Sequence, residues 1–138
     1  MDIVIDFDGT CVTHRYPEIG KEIGATPVLR ELVDAGNRLI LSTMRSDDRK
    51  RRNRTLSDAV EWFRERDIPL FGVQTNPTQQ TWTSSPKAYG ELYIDDFALG
   101  CPLVFPDDGP PYVDWKQVRR MLVEMEILED NNEQRTDL

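Results

Sequence analysis

Asp2-Ile3-Val4-Ile5-Asp6-Phe7-Asp8-Gly9-Thr10 opens the chain with an apolar run cut short by acids. Ile3-Val4-Ile5 predicts a strand buried on both faces, and it stops on two carboxylates one residue apart. Alternate strand residues point the same way, so Asp6 and Asp8 lean together if the strand continues. Gly9 lets the backbone turn sharply, and such a turn frees main-chain N–H groups that could face an anion. Gly9 and Thr10 are therefore candidate substrate contacts. Two clustered carboxylates repel each other unless a cation lies between them, and the hard, oxygen-seeking choice is Mg2+. Asp-x-Asp-Gly is also ordinary turn chemistry, so residues further along must decide between the two.

At 138 residues, one domain over 1–128 is expected, with a polar and disordered tail at 129–138. Twenty-five acidic against 17 basic residues leave a net charge of −8, which argues against a general nucleic-acid-coating role. With no apolar run of membrane-spanning length and no signal-peptide core, a cytoplasmic protein without a membrane partner is expected. Cys11 and Cys101 are too few for a disulfide framework and read as reduced, small hydrophobes. The single histidine, His14, rules out a histidine-rich metal site. It lies in an irregular stretch, 11–24, and is a weak candidate for any role.

Thr26-Pro27 predicts a helix start, with Thr26 as N-cap. Val28, Leu29, Leu32 and Val33 recur at helical spacing, and Gly36 supplies the stop. Leu39-Ile40-Leu41 predicts a second buried strand ending in Ser42-Thr43-Met44-Arg45, so the unit reads as a right-handed βαβ crossover. From Arg45 to Arg54 six residues are basic and two acidic. Such a run is usually a solvated face. This one follows a strand's carboxyl end, where open α/β sheets bind ligands, and it precedes a helix whose dipole it opposes.

That helix is predicted over 55–66, with Leu56, Ala59, Val60 and Phe63 inward. Leu70–Val73, Leu92–Ile94 and Leu103–Phe105 read as three more strands, the second of them ending on Asp95-Asp96. Residues 74–86 form a polar loop before Lys87, and 106–111 a turn. Asp114 with Gln117 predicts a capped last helix whose stripe from Trp115 to Leu128 reads as core.

Three strands thus end in oxygen-bearing side chains: Asp6 and Asp8, Ser42 and Thr43, Asp95 and Asp96. Parallel strands would bring these ends to one crevice, within reach of Lys87. Acids, a hydroxyl and a lysine around a cation suit phosphoryl transfer.

In order and spacing, Asp-Phe-Asp-Gly-Thr, Leu-Ile-Leu-Ser-Thr, Lys87 and Tyr-Ile-Asp-Asp resemble the four motifs of the haloacid dehalogenase (HAD) superfamily of phosphohydrolases. The resemblance covers roughly residues 2–105. Thr-Met-Arg and Tyr-Ile-Asp-Asp-Phe-Ala-Leu-Gly further resemble small HAD-type phosphatases of bacteria and phages. The resemblance implies a three-layer α/β/α Rossmann-like core with a mostly parallel five-stranded sheet. It implies Asp6 as nucleophile, Asp8 as general acid/base, Thr43 (less well Ser42) on the phosphoryl group, and Lys87 beside them. It implies Mg2+ held by Asp6, the Asp8 carbonyl and Asp95, with Asp96 left open as a further ligand.

The intervals Thr10 to Ser42 and Thr43 to Lys87 leave no room for a cap domain, so the site is expected to be open. The implied activity is a Mg2+-dependent phosphomonoester hydrolase working through an aspartyl-phosphate on a phosphorylated substrate, either a small molecule or a nucleotide or nucleic-acid end. An alternative is a nucleotide or nucleic-acid-end phosphatase or phosphotransferase using the basic 45–54 segment, Arg45 included. Another is a catalytically idle HAD-like binding module. An oligomer is possible through Trp62, Trp82 or the last helix, if exposed.

Overall fold

A computed structural model describes residues 1–130. In chain order its elements are β1 (Asp2–Ile5), α1 (Ala25–Asp34), β2 (Arg38–Leu41), β3 (Asp47–Asp48) and β4 (Asn53–Arg54). Then come α2 (Thr55–Glu65), β5 (Gly72–Val73), a 3-10 helix (Pro77–Thr81), β6 (Leu92–Ile94), β7 (Leu103–Val104), β8 (Tyr112–Val113) and α3 (Trp115–Glu124). The tail expected at 129–138 falls outside the described residues from 131 onward.

β1 is buried along its whole length because it has a parallel neighbour on each side. The sheet order is β5-β2-β1-β6, all parallel. In register, Ile5 lies opposite Leu41 on one side and Ile94 on the other, and Leu41 lies opposite Val73. The carboxyl ends of the strands therefore finish level with one another.

Among the described residues the sheet has four strands, not the five expected. Leu103–Val104 instead pairs antiparallel with Tyr112–Val113, as a hairpin closed by the 106–111 turn. Pro102 and Pro106 flank the strand and keep it short, and a local partner closes a smaller loop than the sheet edge would.

The three-layer expectation is also corrected. Ile3, Ile5, Leu39, Leu41 and Ile94 share one cluster with the buried residues of α1, α2 and α3, so all three helices cover the same face. Val4 and Ile40 face the other way, onto Ala88 and Phe71, and no α-helical residue joins that smaller cluster. The cover there comes from the 74–91 segment. It has no apolar residues at helical spacing, and polar side chains pin it instead. Buried Gln79 accepts from Asn76 N and Tyr89 N and donates to the Ser85 and Lys87 carbonyls. Buried Asn76 donates to Asp2 Oδ2 and to the Tyr89 carbonyl.

The helix borders follow local chemistry. α1 is capped by Gly24, at φ 97°, rather than by Thr26, so Pro27 falls within the first turn. Asp114 caps α3 as expected, accepting from Lys116 N and Gln117 N. Trp62 is buried in the core, which removes it as an interface residue, whereas Trp82 is exposed. Among the described residues no helix is long and apolar enough to cross a membrane.

Candidate functional site

Asp6 and Asp95 are the first residues past the paired ends of β1 and β6. The Asp6 N–H donates to the Ile94 carbonyl, and the Ser42 N–H to the Ile5 carbonyl, so Asp6, Ser42 and Asp95 stand side by side. Carboxylate oxygens of Asp6, Asp95 and Asp96 all lie within 4.8 Å of one another.

Thr10 ties this trio together. Its fully buried hydroxyl bonds Asp6 Oδ2 at 2.9 Å and Asp96 Oδ1 at 3.2 Å, and accepts from the Asp96 N–H at 3.0 Å. The Thr10 carbonyl is in turn held by the Trp115 indole N–H at 2.7 Å, so α3 braces the loop from behind. Burial, and after it the neighbouring Asp95 charge, raise the Asp6 carboxyl to about 8. Burial raises Asp95 as well. Three carboxylates gathered in a partly buried pocket form a donor set that fits a hard divalent cation.

Asp8 stands apart from this trio. Arg45 Nε and Nη2 donate to its two oxygens, each at 2.8 Å. The remaining Arg45 donors reach the carbonyls of Pro17, Glu18 and Thr55. All five guanidinium N–H groups are thus engaged, and the side chain is only 1% exposed. Arg45 is therefore corrected from a substrate ligand to a buried clamp, because no donor remains to meet a phosphate.

Gly9 and Thr10 are corrected in the same way. Their amides and that of Cys11 donate to the carbonyls of Val12 and Phe7, so this turn offers no free anion nest. Gly9 matters for space instead. It sits at φ 80°, and a Cβ there would run into His14 Nε2 and Asp96 Oδ2.

Thr43 lies at the rim of the same edge. Gln74, itself at φ 68°, accepts from the Thr43 N–H and donates to the Thr43 and Arg45 carbonyls. The Thr43 hydroxyl accepts from the Arg45 N–H at 3.1 Å, which leaves its own proton free to donate. Ser42 Oγ has no hydrogen bond among the described residues, so its proton is free as well. Lys87 is not brought to the acids. Its ammonium sits 5.6 Å from the centre of the Tyr93 ring, and it makes no ion pair among the described residues.

His14, discounted on sequence grounds, belongs to the site. Its Nε2 lies 2.8 Å from Asp96 Oδ2, and its ring stacks on Phe97 with centroids 5.9 Å apart. No sequence signal marks it, because the 11–24 loop that carries it has no period.

No family model and no curated protein matches this chain. A solved structure does, that of a conserved protein from Bacteroides thetaiotaomicron. It is 34% identical, the match spans 91% of each chain, and the TM-score is 0.70. The chain belongs to that protein's family.

Proposed function

We propose that this protein is a Mg2+-dependent phosphomonoester hydrolase of the HAD type, with Asp6 as nucleophile. The observation that carries the reading is the trio of Asp6, Asp95 and Asp96 at the carboxyl edge of a parallel sheet that also carries Ser42 and Thr43, two hydroxyls whose protons are free to donate. Asp6 and Asp95, with Asp96 adjoining, would hold the ion. When bound, it would lower the repulsion between an anionic nucleophile and an anionic phosphate.

Asp6 Oδ attacks phosphorus, and the bond to the leaving oxygen breaks with its electron pair going to that oxygen. Water then attacks the aspartyl-phosphate. The bond from phosphorus to Asp6 breaks, releasing inorganic phosphate and restoring the carboxylate. Thr43 or Ser42 donates its hydroxyl proton to a phosphoryl oxygen. Asp8 can give the leaving oxygen a proton only after turning away from Arg45 and towards Asp6. Lys87 can join only by leaving Tyr93.

The Asp8–Arg45 pair is also the observation that favours a second reading, a catalytically idle binding module of the same fold. Phosphate release from an aryl phosphate with Mg2+ separates the two. Turnover that is lost with EDTA and in Asp6→Asn supports the hydrolase. Mg2+ binding without turnover supports the module.

A further inference from the structure

The basic segment forms a defined object. β3 pairs antiparallel with β4, and the turn between them carries Arg49, Lys50, Arg51 and Arg52, all exposed. Its base is fastened to α2. Thr55 Oγ1 bonds both the amide and the carbonyl of Ser46, and Asp47 accepts from the amide and hydroxyl of Ser57. At the tip, Asp48 Oδ1 accepts from the Lys50 and Arg51 amides. Only Arg51 has an ion-pair partner on the turn, Asp48 at 3.5 Å; Arg49, Lys50 and Arg52 have none among the described residues. In a chain of net charge −8, four cations are held together on one turn.

The base of the hairpin adjoins Arg45 at the rim of the candidate site: β3 begins two residues after Arg45, and the Thr55 carbonyl that follows β4 accepts from its guanidinium. On the same rim lie some of the most exposed apolar side chains: Met44 at 97%, Phe97 at 85% and Tyr16 at 57%. Phe97 is already stacked on the site histidine at an interplanar angle of 16°, and Tyr16 lies against the Arg45 guanidinium at 5.3 Å. Cations that follow a backbone, together with flat apolar faces that accept bases, are what a single strand of nucleic acid requires.

We propose that the substrate is the phosphorylated end of a single-stranded oligonucleotide. Its terminal phosphate lies at Asp6, the next phosphodiesters on the 49–52 turn, and a base on Phe97. This deepens the hydrolase reading and rests on it for the chemistry. The binding surface stands on the hairpin and the exposed rings.

The test uses the full chain and a fluorescent 12-mer carrying a 5′- or 3′-phosphate, as DNA and as RNA, with binding read by anisotropy across salt. Log affinity should fall against log salt with a slope of about −2 to −3 if three to four phosphates are neutralised, at roughly 0.7 each for a single strand. R49Q/K50Q/R51Q/R52Q should weaken binding at least tenfold and flatten that slope, while p-nitrophenyl phosphate hydrolysis stays within twofold. F97A should weaken the oligonucleotide several-fold and leave heparin, a polyanion without bases, unaffected. Equal binding by the quadruple variant, by heparin or by a blunt duplex overturns the proposal. If wild-type protein binds the oligonucleotide as described but releases no phosphate from any substrate with Mg2+, the hydrolase reading falls and the surface stands.

Discussion

Arg45 and Asp8 form a bidentate pair, both contacts at 2.8 Å, with the guanidinium buried between the rings of Phe7 and Tyr16. The pair joins the end of β2 to the loop after β1, and through three carbonyls it also fixes the 17–18 loop and the start of α2. One residue therefore sets the positions of three segments around the acidic trio.

Arg45→Ala should destabilise the protein by about 3–5 kcal/mol, the usual loss when one partner of a buried pair is removed. Arg45→Lys should recover only part of this, because an ammonium has three donors for five acceptors. Urea unfolding measures both. A loss under about 1 kcal/mol for the alanine variant, the level of an exposed pair, would show that the clamp is not formed.

Asp6→Asn should lower phosphate release on the order of a thousand-fold or more while the fold persists. Without metal, folding at neutral pH must place a proton on Asp6, whose carboxyl is raised to about 8, and the amide avoids that cost, so the variant should then melt above wild type. Mg2+ should raise the melting temperature of wild type and have little effect on the variant. Identical Mg2+ shifts in both proteins would place the ion elsewhere.

Gly9→Ala should both strain and crowd the loop. The left-handed backbone adds about 1–2 kcal/mol for a residue with a Cβ, before the collision with His14 and Asp96. Thermal melting reads the first effect. Loss of Mg2+ affinity greater than that of a control alanine at Gly109, which also has positive φ but open space, reads the second.

Asp2 provides the acid limit. Its carboxyl accepts from Arg38 Nε and Nη2 and from Asn76, and the Arg38 hydrogen bond does most to hold it below the ordinary 3.8. A depressed acid stabilises the fold above its unfolded value and loses that contribution as pH falls through the folded one. Wild type should therefore lose stability below about pH 4, and Asp2→Asn should show a shallower slope in that window. Parallel pH profiles for the two would rule out this linkage.

Much of the architecture was legible from local pattern. Two buried strands, three helices and the acids that end β1 and β6 each show a period, a cap or a turn within a few residues. Pleat and parallel pairing then place Asp6 next to Asp95 almost by necessity, because strands of matched register end at one edge.

What the sequence could not determine depends on contacts between segments far apart in the chain. Leu103–Val104 has the composition of a sheet strand, yet it pairs with β8, since competition between partners is decided by geometry. The polar 74–91 segment covers a sheet face through buried Asn76 and Gln79, an arrangement that hydropathy does not reveal. Arg45 reads from sequence as a substrate contact in a basic run, but five acceptors converge on it, three of them carbonyls on other segments. His14 gains its partner only because the loop folds back 82 positions onto Asp96. Periodicity reports which face of an element is buried; which charge meets which is settled only when the elements pack.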